Sequence, residues 1–163
     1  SEVDFYEQLW AGSPSIHTDY LEVKNKVFSL QSFIFRQPIH LSLTHIDAVP
    51  DNFLIVKNGM REKIRLIDWE YAAMQDPHLD IAMFAIYSMY NKQQVDSLID
   101  AYFVEGCSED IRTKIYCYIS IAGLLWSNWC EYKRILGVEF NEYAEVQYQY
   151  AKKYYKFASN RIK

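Results

Sequence analysis

The sequence predicts a mainly helical α+β fold with one short β-hairpin. Three observations carry this. Tyr20, Val23, Val27, Leu30 and Ile34 recur three or four residues apart, which lines one face of a helix. The chain beyond Asp76 keeps a helical pattern, with stops at Gly106 and Gly137. Between these regions, two apolar, β-branched runs flank Asn58-Gly59, a strong turn signal. The length of 163 residues suits one domain. A chain of this size buries roughly 70% of its unfolded surface, enough for a core.

In order, Asp4–Ala11 reads as a short helix stopped by Gly12 and Pro14. A second helix runs from Thr18, its expected N-cap, to about Phe35, with Pro38 past its end. Ile39–Thr44 is an extended entry into the loop His45–Asn52. The hairpin pairs Asn52–Val56 with Ile64–Ile67. Asp76 and Pro77 open the next helix as N-cap and first helical residue, giving His78–Tyr90. Three more helices cover Gln93–Val104, Asp110–Leu136 and Asn141–Ser159.

Composition excludes several classes of function. The net charge is −4 and no basic cluster occurs, so a nucleic-acid partner is not expected. The longest apolar runs fall short of the ~18–20 residues that span a bilayer, so no membrane insertion is expected. Nothing at the start has the basic-then-apolar pattern of a secretion signal. Cys107, Cys117 and Cys130 are odd in number and widely spaced, which fits neither zinc nor disulfides. They are read as reduced core residues of a cytoplasmic protein.

The chemistry lies in two segments. Leu43–Ile55 holds Asp47 five residues before Asn52, in a loop entered from an apolar run. Leu66–Tyr71 holds Asp68 at the end of another. An antiparallel hairpin sets Asn52, at the start of one strand, beside Asp68, at the end of its partner. Phosphoryl transfer needs such a set: a carboxylate to accept the proton of an attacking hydroxyl, and an Asn and an Asp to hold metal on the phosphates. Asp47 is the candidate base, and Asn52 and Asp68 are hard oxygen ligands suited to magnesium. Taken singly, His45 and Asp47 would cap a turn, and Asn52 and Asp68 would be structural. Glu70 would share a face with Asp68 if strand geometry continued, as a ligand for a metal or a cation or as a solvated acid. Asp80, in the first turn of its helix, is assigned to support of the loop or the helix start.

Fourteen Tyr, nine Phe and four Trp make the chain rich in aromatic residues. Trp126 and Trp129, with Tyr132 after them, share one helix face. Aromatic faces attract a quaternary ammonium. Spacing alone favours packing against the last helix.

The run His45-Ile-Asp47 with Asn52, followed by Asp68-Trp-Glu-Tyr71 and Asp76-Pro77 with Asp80-Ile-Ala82, resembles the aminoglycoside-phosphotransferase and choline-kinase superfamily. The Asp-Trp-Glu-Tyr form, with Trp126-Ser-Asn-Trp129 and Glu139-Phe140 plus Tyr143, is similar to choline/ethanolamine kinases, and most of all to bacterial choline kinases of the surface-phosphocholine type. The resemblance implies the C-terminal lobe of a protein-kinase-like phosphotransferase over residues 1–163. It would hold a catalytic loop at 43–52, a metal-binding hairpin at 52–71 and a helical choline-pocket subdomain at 76–159. It implies that Asp47 is the catalytic Asp, that His45 braces the loop, and that Asn52 and Asp68 bind Mg2+ with ATP as co-substrate. It also implies that Trp126 and Trp129 wall the choline pocket, with Glu70, Tyr71 and Tyr143 near it. No Gly-rich loop or phosphate-gripping Lys reads upstream of residue 38, so the N-terminal lobe is expected to be absent and the chain alone inactive. The implied reaction, in the full-length protein, is ATP-dependent phosphorylation of choline. The alternatives are a kinase for ethanolamine or an aminoglycoside, or an inactive cation-binding fragment.

Overall fold

The computed structural model describes residues 1–10, 13–59 and 61–162. Its elements are α1 (Glu2–Trp10), α2 (Tyr20–Ser29), α3 (Gln31–Ile34), β1 (Ser42–Thr44), a 3₁₀ turn (Pro50–Asn52), β2 (Phe53–Asn58), β3 (Arg61–Leu66), β4 (Ala73–Gln75), α4 (His78–Tyr87), α5 (Lys92–Tyr102), α6 (Glu109–Ile135) and α7 (Asn141–Ser159). The mainly helical α+β class with a hairpin is therefore observed. Packing divides the chain into two compact units, one of residues 1–37 with 109–163 and one of residues 38–108.

The first unit is helical. Val3 and Trp10 of α1, Tyr20, Val23 and Val27 of α2, Leu124 of α6 and Tyr148 and Ala151 of α7 form one buried cluster. Burial raises the Tyr20 phenol to about 12. Its oxygen accepts a hydrogen bond from Asn128 Nδ2 at 2.9 Å. The same Nδ2 donates to the Val3 carbonyl at 3.2 Å, tying α1 to α6. Helices α6 and α7 pack closely enough at Gly123 that an added Cβ would lie 2.7 Å from both the Gln147 carbonyl oxygen and Tyr150 Cβ.

Several boundaries differ from expectation. Asp19, not Thr18, occupies the N-cap of α2 and makes no side-chain capping bond. Its carboxylate is engaged elsewhere, accepting from Tyr148 Oη at 2.7 Å and Lys152 Nζ at 2.5 Å. The expected single helix to Phe35 is divided at Leu30 into α2 and α3. The expected stop of α1 at Gly12 lies outside the described residues. Cys117 and Cys130 are buried, and burial pushes both thiols up to about 12. Cys107 is only half-buried and so is not a core residue.

The second unit carries two small sheets and two helices. Strands β2 and β3 pair antiparallel from Phe53↔Leu66 to Asn58↔Arg61. This ladder is longer than the sequence suggested. Gly59, the first residue of the two between the strands, takes the left-handed φ of 62° that such a tight turn demands. Strand β4 was not anticipated; it pairs with β1 from Ser42↔Gln75 to Thr44↔Ala73. Phe53 meets Phe84 of α4 edge-on at 5.6 Å. Asn91 and Gln94 form a reciprocal capping box at the start of α5.

Candidate active site

The loop after β1 is held from several sides. Thr44 is buried, and its Oγ1 donates to the Ala73 carbonyl at 2.8 Å, fastening β1 to β4. The next two backbone N–H groups both point at one carboxylate. His45 N donates to Asp80 Oδ2 at 3.0 Å, and Ile46 N donates to Asp80 Oδ1 at 2.8 Å. Asp80 stands in the first turn of α4.

The His45 ring is buried, with Nε2 2.8 Å from the Ile67 carbonyl. A carbonyl only accepts, so Nε2 carries a proton and donates in this contact. Trp69 packs against that ring in a T-shaped arrangement, with centroids 4.7 Å apart. Trp69 Nε1 in turn donates to the Leu66 carbonyl at 3.0 Å.

Backbone conformation at the loop is unusual. Ile46 has φ 67° and Asp68 has φ 64°. A β-branched residue in the left-handed region is strained, and such strain gathers at functional sites. The paired bonds to Asp80 hold Ile46 there.

Asp47 is half-buried in the turn that follows. Asn52 Nδ2 donates to the Asp47 carbonyl at 2.9 Å and approaches Asp47 Oδ2 at 3.4 Å. That commitment of the amide nitrogen leaves Asn52 Oδ1 as the acceptor. Beyond the Phe53–Leu66 pair, Ile67 N donates to the Asn52 carbonyl at 3.0 Å. Asp68, exposed, is the next residue. The fold thus brings Asp47, Asn52 and Asp68 to the open end of one hairpin.

Among the described residues no group of three or more His, Cys, Asp or Glu is arranged to hold a metal. A magnesium site does not need one. Magnesium usually keeps several waters and phosphate oxygens and takes one or two carboxylates. An amide oxygen and an aspartate, both hard oxygen donors, fit that pattern.

Glu70 and Tyr71 are exposed. Strand β3 ends at Leu66, and the left-handed Asp68 breaks the alternation, so the shared-face argument for Glu70 does not hold. In the helical unit, Trp126 and Trp129 meet edge to face at 5.4 Å. Trp129 also packs on Phe140 at 4.8 Å, and Phe140 lies 6.3 Å from Tyr143. Lys133 Nζ lies 5.3 Å from the centre of the Trp129 ring. Sequence reasoning missed Trp69 as a brace and Lys133 altogether. Lys133 was detectable as the residue four after Trp129 on the same helix face.

The family model for choline/ethanolamine kinase matches residues 6–101, more than half of the chain. The chain belongs to the choline/ethanolamine kinase family. The matched region contains Asp47, Asn52, Asp68 and Asp80 and stops before Trp126. Protein LicA of Haemophilus influenzae is 30% identical over 108 residues, covering 61% of this chain and 38% of that protein. The crystal structure of choline kinase LicA from Streptococcus pneumoniae is similar with a TM-score of 0.74 at 30% identity, covering 96% of this chain and 54% of that one. A LicA structure in complex with AMP gives a TM-score of 0.75 at 30% identity, with 96% and 53% covered. The chain therefore spans about half the length of these solved kinases and less of the Haemophilus protein. Among the described residues, no helix is long and apolar enough to cross a membrane.

Proposed function

We propose that the protein carrying this chain transfers the terminal phosphoryl group of ATP to the hydroxyl of choline. The observation that carries this reading is the 2.9 Å bond from the Asn52 amide to the Asp47 carbonyl, made at the hairpin end where Asp68 begins. It supports a base and two metal ligands acting as one unit.

In this reading the Asp47 carboxylate accepts the hydroxyl proton as the choline oxygen bonds to phosphorus and the bond to ADP breaks. Asn52 Oδ1 and the Asp68 carboxylate are the groups that would hold Mg2+, which when bound neutralises charge on the transferred phosphoryl group. Asp80 and His45 act on position, not on protons in flight. The two N–H bonds to Asp80 and the His45 contact to Ile67 keep the loop in its strained form. Similarity to a LicA protein solved with AMP supports nucleotide binding.

Choline's quaternary nitrogen has no N–H, so hydrogen bonds to that nitrogen cannot recognise it. Aromatic faces can, through the ring quadrupole. Trp126 and Trp129 are assigned that role, with Glu70, Tyr71 and Tyr143 as further substrate contacts. The reaction is assigned to the cytoplasm.

The test follows product by phosphorus NMR with ATP, magnesium and, in separate reactions, choline, ethanolamine and an aminoglycoside. The proposal expects phosphocholine to form fastest. Preferential phosphorylation of either other acceptor would overturn the choline assignment.

A further inference from the structure

We infer that Lys133 is an internal cation that occupies the aromatic seat of the substrate and sets how tightly choline binds. The inference rests on the assignment of Trp129 to choline recognition. Lys133 Nζ lies 5.3 Å from the Trp129 ring centre and 5.9 Å from that of Tyr132. Both distances are within the ~6 Å range in which an ammonium is attracted to a ring. No carboxylate pairs with Lys133 among the described residues. Its neighbour Arg134 is committed to the buried Glu131, with Nη2 at 3.0 Å. The Lys133 charge is therefore uncompensated except by aromatic rings.

Trp129 has little ring surface to spare. Trp126 meets it edge to face at 5.4 Å, and Phe140 packs on it at 4.8 Å. A trimethylammonium group that uses Trp129 must contend with the charge already there. Two cations sharing one ring repel each other, and this repulsion is strongest where water is excluded. Lys133 is half-buried on an unbranched stem, so it can swing away when substrate arrives. Its cost to binding is a lost cation–π contact plus any residual repulsion. Lysine at this position thus weakens choline binding and speeds its exchange.

The test is isothermal titration of choline chloride into the wild-type chain, Lys133→Met, Lys133→Arg and Trp129→Phe, with melting temperatures recorded for each. Lys133→Met keeps the stem and removes the charge. It should tighten choline binding about three- to tenfold, the range set by an exposed to partly desolvated cation–π contact. Lys133→Arg, which keeps the charge, should bind no more tightly than wild type. Trp129→Phe should weaken binding. If Trp129→Phe weakens binding while Lys133→Met leaves it unchanged or weaker, the role of Lys133 is refuted and the choline assignment stands. If folded Trp129→Phe binds as wild type does, the choline assignment of Trp129 fails and the inference with it. Binding that appears only in Lys133→Met supports the inference; binding in none of the four proteins contradicts it.

Discussion

One carboxylate, Asp80, satisfies two consecutive backbone N–H groups of the loop that carries Asp47. A hydrogen bond to a charged group contributes about 1.5–3 kcal/mol, and removing the acceptor leaves buried donors unpaired. Asp80→Ala should therefore lower stability by roughly 2–4 kcal/mol, read from denaturant midpoints. Turnover should fall further than that loss of folded protein explains, because Ile46 would relax from its left-handed φ of 67° and carry Asp47 with it. A variant with wild-type stability and turnover would show that the loop holds itself. At this scale the placement of Asp47, Asn52 and Asp68 at the hairpin end was legible, because their spacing and the hairpin between them are local. The Ile46 conformation and the Trp69 contact to His45 were not. Each depends on groups that only the folded chain brings near, and neither residue type announces it.

Elements were legible where period and punctuation agreed. Helix α7 begins and ends where Asn141 and Ser159 suggested, and the hairpin forms around Gly59. Strand β4 escaped notice because Ala-Met-Gln has no β-branched or alternating pattern; its pairing with β1 is supplied by tertiary structure. The break at Leu30 was hidden by a helical period that runs straight through it. Helix packing makes its own prediction. Gly123 lets α6 and α7 approach so that a Cβ would meet backbone at 2.7 Å, not a yielding side-chain tip. Gly123→Ala gains helix propensity of about 0.8–1 kcal/mol but forces the helices apart. Overpacking costs about 1–3 kcal/mol, so the net change is destabilising. A higher melting temperature in calorimetry would contradict this close approach.

For the whole molecule, acid stability offers a check on the helical unit. The Asp19 carboxyl is held below its usual value of 3.8, first by the bond from Lys152 and then by that from Tyr148. A depressed folded pKa adds stability that is fully present above the unfolded value and is lost as the pH falls through the folded one. Asp19→Asn should therefore melt below wild type at neutral pH, and the gap should narrow as the pH drops below about 4. Partial exposure of Asp19 and Lys152 screens the effect and keeps it small. A gap of equal size at neutral and strongly acid pH would exclude this carboxylate as its source.

The proposed chemistry turns on Asp47 as the base in phosphoryl transfer. The most direct test is steady-state turnover of Asp47→Asn in the protein carrying this chain, with ATP, magnesium and choline. A positioned base contributes typically 10²–10⁴-fold, so kcat should fall at least about 10²-fold while the choline KM changes by no more than about threefold. Turnover near that of wild type would contradict the claim, and would leave Asp47 as a turn residue of the loop.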